Sequence, residues 1–102
     1  MSEITRVVRL SFDPKNVETF IKIFEDSKLH IRNFEGCTYL RLMKDVNYPN
    51  VFYTYSKWES PQNLENYRNS DLFKSTWAKT KILFDAKPMA FSLAPVPEIS
   101  PL

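Results

Sequence analysis

The chain has 102 residues with 14 Lys+Arg against 12 Asp+Glu, a length that suits one domain and leaves no room for a separate catalytic module. Hydrophobic residues at 43% and charged residues at 25% exclude disorder and collagen-like repeats for the bulk of the chain, and a net charge of +2 gives no argument for nucleic acid or acidic membranes. One Cys and one His exclude an internal disulfide and supply too few N/S ligands for structural zinc, so no metal is expected.

Residues 1–6 (Met1, Ser2, Glu3, Ile4, Thr5, Arg6) lack the basic flank and apolar run of a secretory signal, and no stretch of about 18 apolar residues exists to cross a membrane. A cytoplasmic protein with no membrane partner is the expectation. Residues 4–12 alternate as a strand: Ile4, Arg6, Val8, Leu10 and Phe12 share one face, and Thr5, Val7, Arg9 and Ser11 the other. Asp13-Pro14 is a helix start, an acceptor side chain followed by a proline where no donor is needed. Val17, Phe20, Ile21 and Phe24 follow at three- and four-residue spacing, which predicts a helix over residues 14–31. Gly36, the single glycine, falls where the chain leaves that helix for a strand, a place that calls for positive φ.

Cys37–Lys44 and Val51–Trp58 read as strands, and the Asn- and Pro-containing connection at residues 45–50 joins them as an antiparallel hairpin. Ser60-Pro61 repeats the helix-start signal ahead of Leu64 and Tyr67, and Ser70-Asp71 starts another helix carrying Leu72, Phe73 and Trp77. Residues 88–93 predict a short last strand. The domain then spans residues 1–94, with a Pro-rich extended tail at residues 95–102.

This order predicts an α+β, ferredoxin-like split β-α-β fold, an antiparallel four-stranded sheet with helices on one side. The free face of such a sheet should be polar. Here Val51, Tyr53 and Tyr55 oppose Phe52 and Trp58, while Tyr39 and Met43 oppose Leu40 and Leu42. Two apolar faces are more than a monomer of this size can cover, so a homodimer packing sheet on sheet is expected.

Sheets of this kind can also be RNA platforms, but their strand motif interleaves glycine with basic and aromatic residues. The one glycine lies outside the strands, and no nucleic-acid partner is expected. No Gly-rich loop precedes a helix to cradle a phosphate. His30 and Cys37 flank one loop, yet a nucleophile–base pair needs an orienting third group that nothing in the sequence specifies. A buried cysteine and a histidine facing a helix C-terminus explain them more simply.

Aromatic residues reach 15%. Trp58 ends its strand, Tyr67, Phe73 and Trp77 follow on helices, and Phe20 and Phe24 read as core facing them. Two indoles at one end of a small core, each with an N–H that wants a partner, point to an apolar pocket with a few polar groups.

Lys57-Trp58-Glu59-Ser60, followed by Leu64, Tyr67, Ser70 and Phe73-Lys74, resembles the W-E-S-x-x-x-L-x-x-[YH]-x-x-S-x-x-F-K signature of the antibiotic biosynthesis monooxygenase family. Glu35-Gly36-Cys37 resembles the E-G-C lead into that family's second strand, and the resemblance covers residues 4–93. It implies a dimer whose two sheets form a dimeric α/β barrel with one pocket per subunit. Members of the family include cofactor-free monooxygenases of aromatic polyketides or hydroquinones, haem-degrading monooxygenases, and proteins without known activity. Trp58 matches the family's pocket tryptophan. The haem-degrading branch has an iron-ligating histidine where Trp77 stands and a strand-one asparagine where Val8 stands, while quinol-type members often have a histidine where Leu72 stands. These departures argue against haem degradation.

The resemblance and the residues together give an expected activity: cofactor-independent oxidation of a small flat aromatic or quinol-like ligand with O₂. Trp58 and Trp77 are expected to clamp the ligand, Phe73 to line the pocket, and Tyr67 and Arg9 to supply polar contacts. His30 and Tyr67 are the candidate bases, Arg9 is a candidate to stabilise a phenolate in their stead, and no cofactor is expected. The alternative is a non-catalytic dimer of the same fold that binds a small molecule or a partner.

Overall fold

The computed structural model describes residues 3–102. Strand β1 (Ile4–Ser11) leads through a 3-10 turn (Pro14–Asn16) into α1 (Val17–Arg32), β2 (Cys37–Lys44) and β3 (Val51–Trp58). Helices α2 (Pro61–Arg68) and α3 (Asp71–Lys81) then precede β4 (Met89–Leu93). The strands form one four-stranded sheet in the order β2-β3-β1-β4 with every neighbouring pair antiparallel. The expected α+β ferredoxin-like arrangement is therefore present.

Two element starts differ from the sequence reading for backbone reasons. The Asp13 carboxylate accepts from the Lys15 N–H at 3.1 Å and closes a 3-10 turn, so regular α-helix begins at Val17 rather than at Pro14. β4 begins at Met89 because Pro88 has no N–H to give to the ladder.

Gly36 has φ +89°, a backbone conformation open to glycine and strained for other residues. Its carbonyl accepts from the Glu59 N–H at 2.8 Å, and a Cβ at this position would collide with the Asn63 side chain. The α1–β2 turn thereby packs directly on the start of α2. Register shifts between Cys37 and Tyr39, so that Cys37 pairs with Trp58 while Tyr39 pairs with Lys57. This one-residue bulge turns Cys37 inward, where it is buried beside Trp58 and Leu64.

The inner sheet face and the helices enclose two groups of buried side chains. Leu10, Phe12, Phe20, Phe52 and Leu83 form one, with Phe12 wholly buried and stacked on Phe20 at 4.2 Å. Cys37, Trp58 and Leu64, packed by Ile4, Phe34 and Tyr67, form the other. The opposite sheet face is bare and largely apolar: Tyr39, Met43, Met89, Phe91 and Leu93 are exposed, with Val7, Tyr53 and Tyr55 half-buried among them and Arg9, Arg41 and Lys57 on the same face. Residues 94–102 are exposed, and their one backbone turn joins the Ile99 N–H to the Val96 carbonyl at 3.0 Å. Among the described residues no helix is long and apolar enough to cross a membrane.

Candidate functional site

A cavity of about 300 Å³ lies between the inner sheet face and the three helices. Alternation along β1 points Arg6, Val8 and Leu10 into it, and alternation along β3 points Thr54, Ser56 and Trp58. The signature serines set the helical wall. Ser60 accepts from the Asn63 N–H at 3.1 Å as the cap of α2. Ser70 accepts from the Phe73 N–H at 3.1 Å and donates to the Tyr67 carbonyl at 2.6 Å, which pins the end of α2 to the start of α3. That clamp fixes the Tyr67 and Phe73 rings edge to face at 5.3 Å.

The aromatic wall is continuous. Trp58 stacks on Tyr67 at 4.9 Å, and Phe73 stacks on Trp77 at 5.7 Å with an interplanar angle of 11°. Trp58 is only 1% exposed, and its Nε1–H donates to Ser56 Oγ at 3.0 Å, so its one donor is already satisfied within the protein. Among the described residues neither the Trp77 Nε1–H nor the Tyr67 hydroxyl has a hydrogen-bond partner, and no buried side-chain polar atom is left unpartnered. Both groups therefore have an opening toward solvent or ligand. Burial, with a smaller contribution from Cys37, pushes the Tyr67 phenol well above its ordinary range, so it acts as a neutral donor. Burial likewise pushes the Cys37 thiol up.

The charge on the wall is arginine. The Arg6 Nη1 donates to Ser92 Oγ on β4 at 2.8 Å, and Arg6 faces Ser56 and Ser92 across the two ladders. Burial, then the proximity of Arg68, lowers the Arg6 pKa, and Glu65 opposes that shift. Arg68 is exposed on the same wall and pairs with Glu65 at 3.4 Å. Among the described residues no Asp, Glu, His or Cys lines the cavity.

Trp58, Tyr67, Phe73 and Trp77 thus share one wall. Arg9 does not join them. It is one residue out of phase with Arg6 and lies on the bare face opposite Tyr53 and Met89. His30 is exposed on α1, off the row of Phe20, Phe24 and Ile31 that faces the cavity. Neither residue reaches the pocket. Arg6 and Arg68, rather than Arg9, line the cavity, and the β1 alternation is the signal that identifies Arg6. Haem fits this wall poorly, since it would meet no imidazole or thiolate there. Among the described residues no cluster of His, Cys, Asp and Glu is suited to a metal ion.

A second groove, between α1 and the edge strand β2, is shallower. Glu25 and Lys28 in its lining pair with each other at 2.7 Å, and Arg32 and Arg41 line it as well.

Several solved structures share the fold. A conserved protein from Methanosarcina mazei Go1 aligns over 91% of this chain and 92% of its own, with 18% identity and a TM-score of 0.86. A protein from Caulobacter crescentus CB15, named as a candidate antibiotic biosynthesis monooxygenase, aligns over 93% and 91% with 23% identity and a TM-score of 0.87. Rv0793 from Mycobacterium tuberculosis aligns over 97% and 100% with 18% identity and a TM-score of 0.86. No curated protein matches the chain. The profile of the family described as antibiotic biosynthesis monooxygenase matches residues 3–79, which include α2, the capped start of α3 and the Trp58–Tyr67 stack. The chain belongs to the antibiotic biosynthesis monooxygenase family.

Proposed function

We propose that the chain is a cofactor-independent monooxygenase that oxidises a small, flat, electron-rich aromatic, such as a hydroquinone or an anthrone, with O₂. The observation that carries this reading is the cavity of about 300 Å³ walled by Trp58, Tyr67, Phe73 and Trp77, a volume at the lower end of small-molecule sites and a shape suited to a planar ring. Family membership supports the same chemistry.

Such a reaction asks little of the protein. The substrate loses a proton and becomes an electron-rich anion, and O₂ takes electrons from that anion and bonds to its carbon. One oxygen atom stays in the product, and the other leaves as water with two substrate hydrogens, so the substrate itself supplies the reducing electrons. The protein's part is to hold the ring, orient it through the free Tyr67 hydroxyl and Trp77 N–H, and keep bulk water off the reacting carbon.

The protein is further proposed to work as a cytoplasmic homodimer. The bare aromatic face of the sheet, with Phe91 47% and Leu93 51% exposed, supports a second copy packed against it.

A non-catalytic binding protein is the second reading, favoured by the absence of any carboxylate or imidazole base on the wall. Oxygen-electrode measurements on metal-stripped protein separate the two. Uptake above autoxidation across a panel of hydroquinones and anthrones, falling in Trp77→Ala, supports the enzyme. Binding without uptake supports the second reading.

A further inference from the structure

We infer that Arg6 generates the reactive anion by binding an ionised phenol or enol oxygen of the substrate, which makes the ligand class flat aromatics with an acidic hydroxyl. The inference rests on the monooxygenase reading and answers the question that reading leaves, namely what replaces a general base.

The wall offers nothing to abstract a proton. It carries no Asp, Glu or His, and its one phenol, Tyr67, stays protonated. It does offer a cation that no carboxylate among the described residues contacts directly, Glu65 acting on it only from beyond ion-pair distance. The Arg6 guanidinium has five N–H donors, and among the described residues it makes one side-chain hydrogen bond, to Ser92, and no ion pair. Arg68 on the same wall adds positive charge that its 3.4 Å contact with Glu65 partly offsets. A guanidinium facing an apolar cavity is costly to desolvate and gains most from an anionic oxygen brought to it.

The step is a simple ionisation. The substrate O–H bond breaks, the electron pair stays on oxygen, and the proton leaves to water on the exposed Arg68 side. The oxygen then accepts N–H donors from Arg6. Binding energy thus shifts the substrate's own ionisation, and electrons flow from that anion to O₂ as described above.

Two opposing effects make the test one of sign. An apolar cavity disfavours a phenolate and raises the pKa of a bound phenol, whereas a guanidinium lowers it. The probe is 4-nitrophenol, whose ionised form is read by absorbance, titrated with pH at saturating protein. The account expects the bound probe's apparent pKa to fall by about one unit, a roughly tenfold shift toward the anion. Arg6→Met is expected to turn the fall into a rise, and Arg6→Lys to keep most of it. A rise or no shift with the unmodified protein overturns the inference without recourse to any variant, and so does a fall that survives Arg6→Met. The methyl ether 4-nitroanisole, followed by calorimetry, reports the aromatic cavity alone. If it binds while the phenol's pKa rises, the cavity stands and the Arg6 assignment fails. If neither probe binds, the monooxygenase reading fails with it.

Discussion

Trp58 Nε1 donates to the hydroxyl of Ser56, two residues back on the same strand, at 3.0 Å. Residues two apart on a strand share a face, so β3 supplies both the indole that walls the cavity and the acceptor that satisfies it. Trp58 is thereby a fixed surface, and the polar groups that the wall leaves open are on Tyr67, Trp77 and Arg6.

Ser56→Ala leaves a buried indole N–H unpartnered and is expected to lower stability by about 1–3 kcal/mol. Trp58→Ala, which empties a position 1% exposed, is expected to cost about 3–5 kcal/mol. Trp77→Ala, at a half-buried position, should keep the fold while weakening ligand binding. Urea unfolding checks the order. An unchanged midpoint for Ser56→Ala would contradict the hydrogen bond's role.

Tyr67 gives a pH signature. Its phenol is raised by burial above the ordinary 10.0, so the folded state holds the proton where the unfolded state releases it. That contribution to stability is fully present below about pH 10 and is lost as pH rises beyond it. The urea midpoint should therefore fall more steeply above pH 10 in the wild type than in Tyr67→Phe, a comparison that removes the other titrating groups. Parallel curves would count against a buried phenol.

Gly36→Ala is expected to destabilise the fold by more than about 1 kcal/mol, because φ +89° is strained for alanine and the new methyl meets Asn63. Asn63→Ala in the same background removes the side-chain amide but keeps the Cβ that the new methyl also meets, so it should recover only part of the steric cost and none of the backbone part. Full recovery in thermal melts would show that backbone strain plays no role.

The bare sheet face predicts the assembly. Val7 lies between Tyr55 and Phe91 in the two ladders, at the middle of that face. Sedimentation equilibrium should show a dimer that Val7→Glu dissociates while circular dichroism stays folded. A wild-type monomer at high concentration would remove the dimer from the account.

The hairpin strands and the two later helices are legible in the sequence because their signals are local. Ser60-Pro61 and Ser70-Asp71 cap helices, and the alternating runs fix Cys37–Lys44 and Val51–Trp58. Gly36 is legible for the same reason, while its collision with Asn63 is a tertiary contact that no local pattern encodes. The aromatic wall follows from helix spacing: Phe73 and Trp77 are four residues apart and stack at 5.7 Å. Arg6 was within reach of the same reasoning, since it shares the inward face with Val8 and Leu10, and Arg9 is excluded by that alternation. His30 is harder to place from sequence, because one step around α1 separates the row facing the cavity from solvent. The Trp58–Ser56 bond and the elevated Tyr67 phenol depend on three-dimensional burial, which periodicity does not report.

The most direct test of the central claim is product formation under ¹⁸O₂ with metal-stripped protein and a hydroquinone or anthrone substrate, read by mass spectrometry. The account predicts enzyme-dependent product carrying one labelled oxygen atom, with the second label in water and yield reduced in Trp77→Ala. Product formed no faster than autoxidation, or carrying oxygen from solvent, would contradict it.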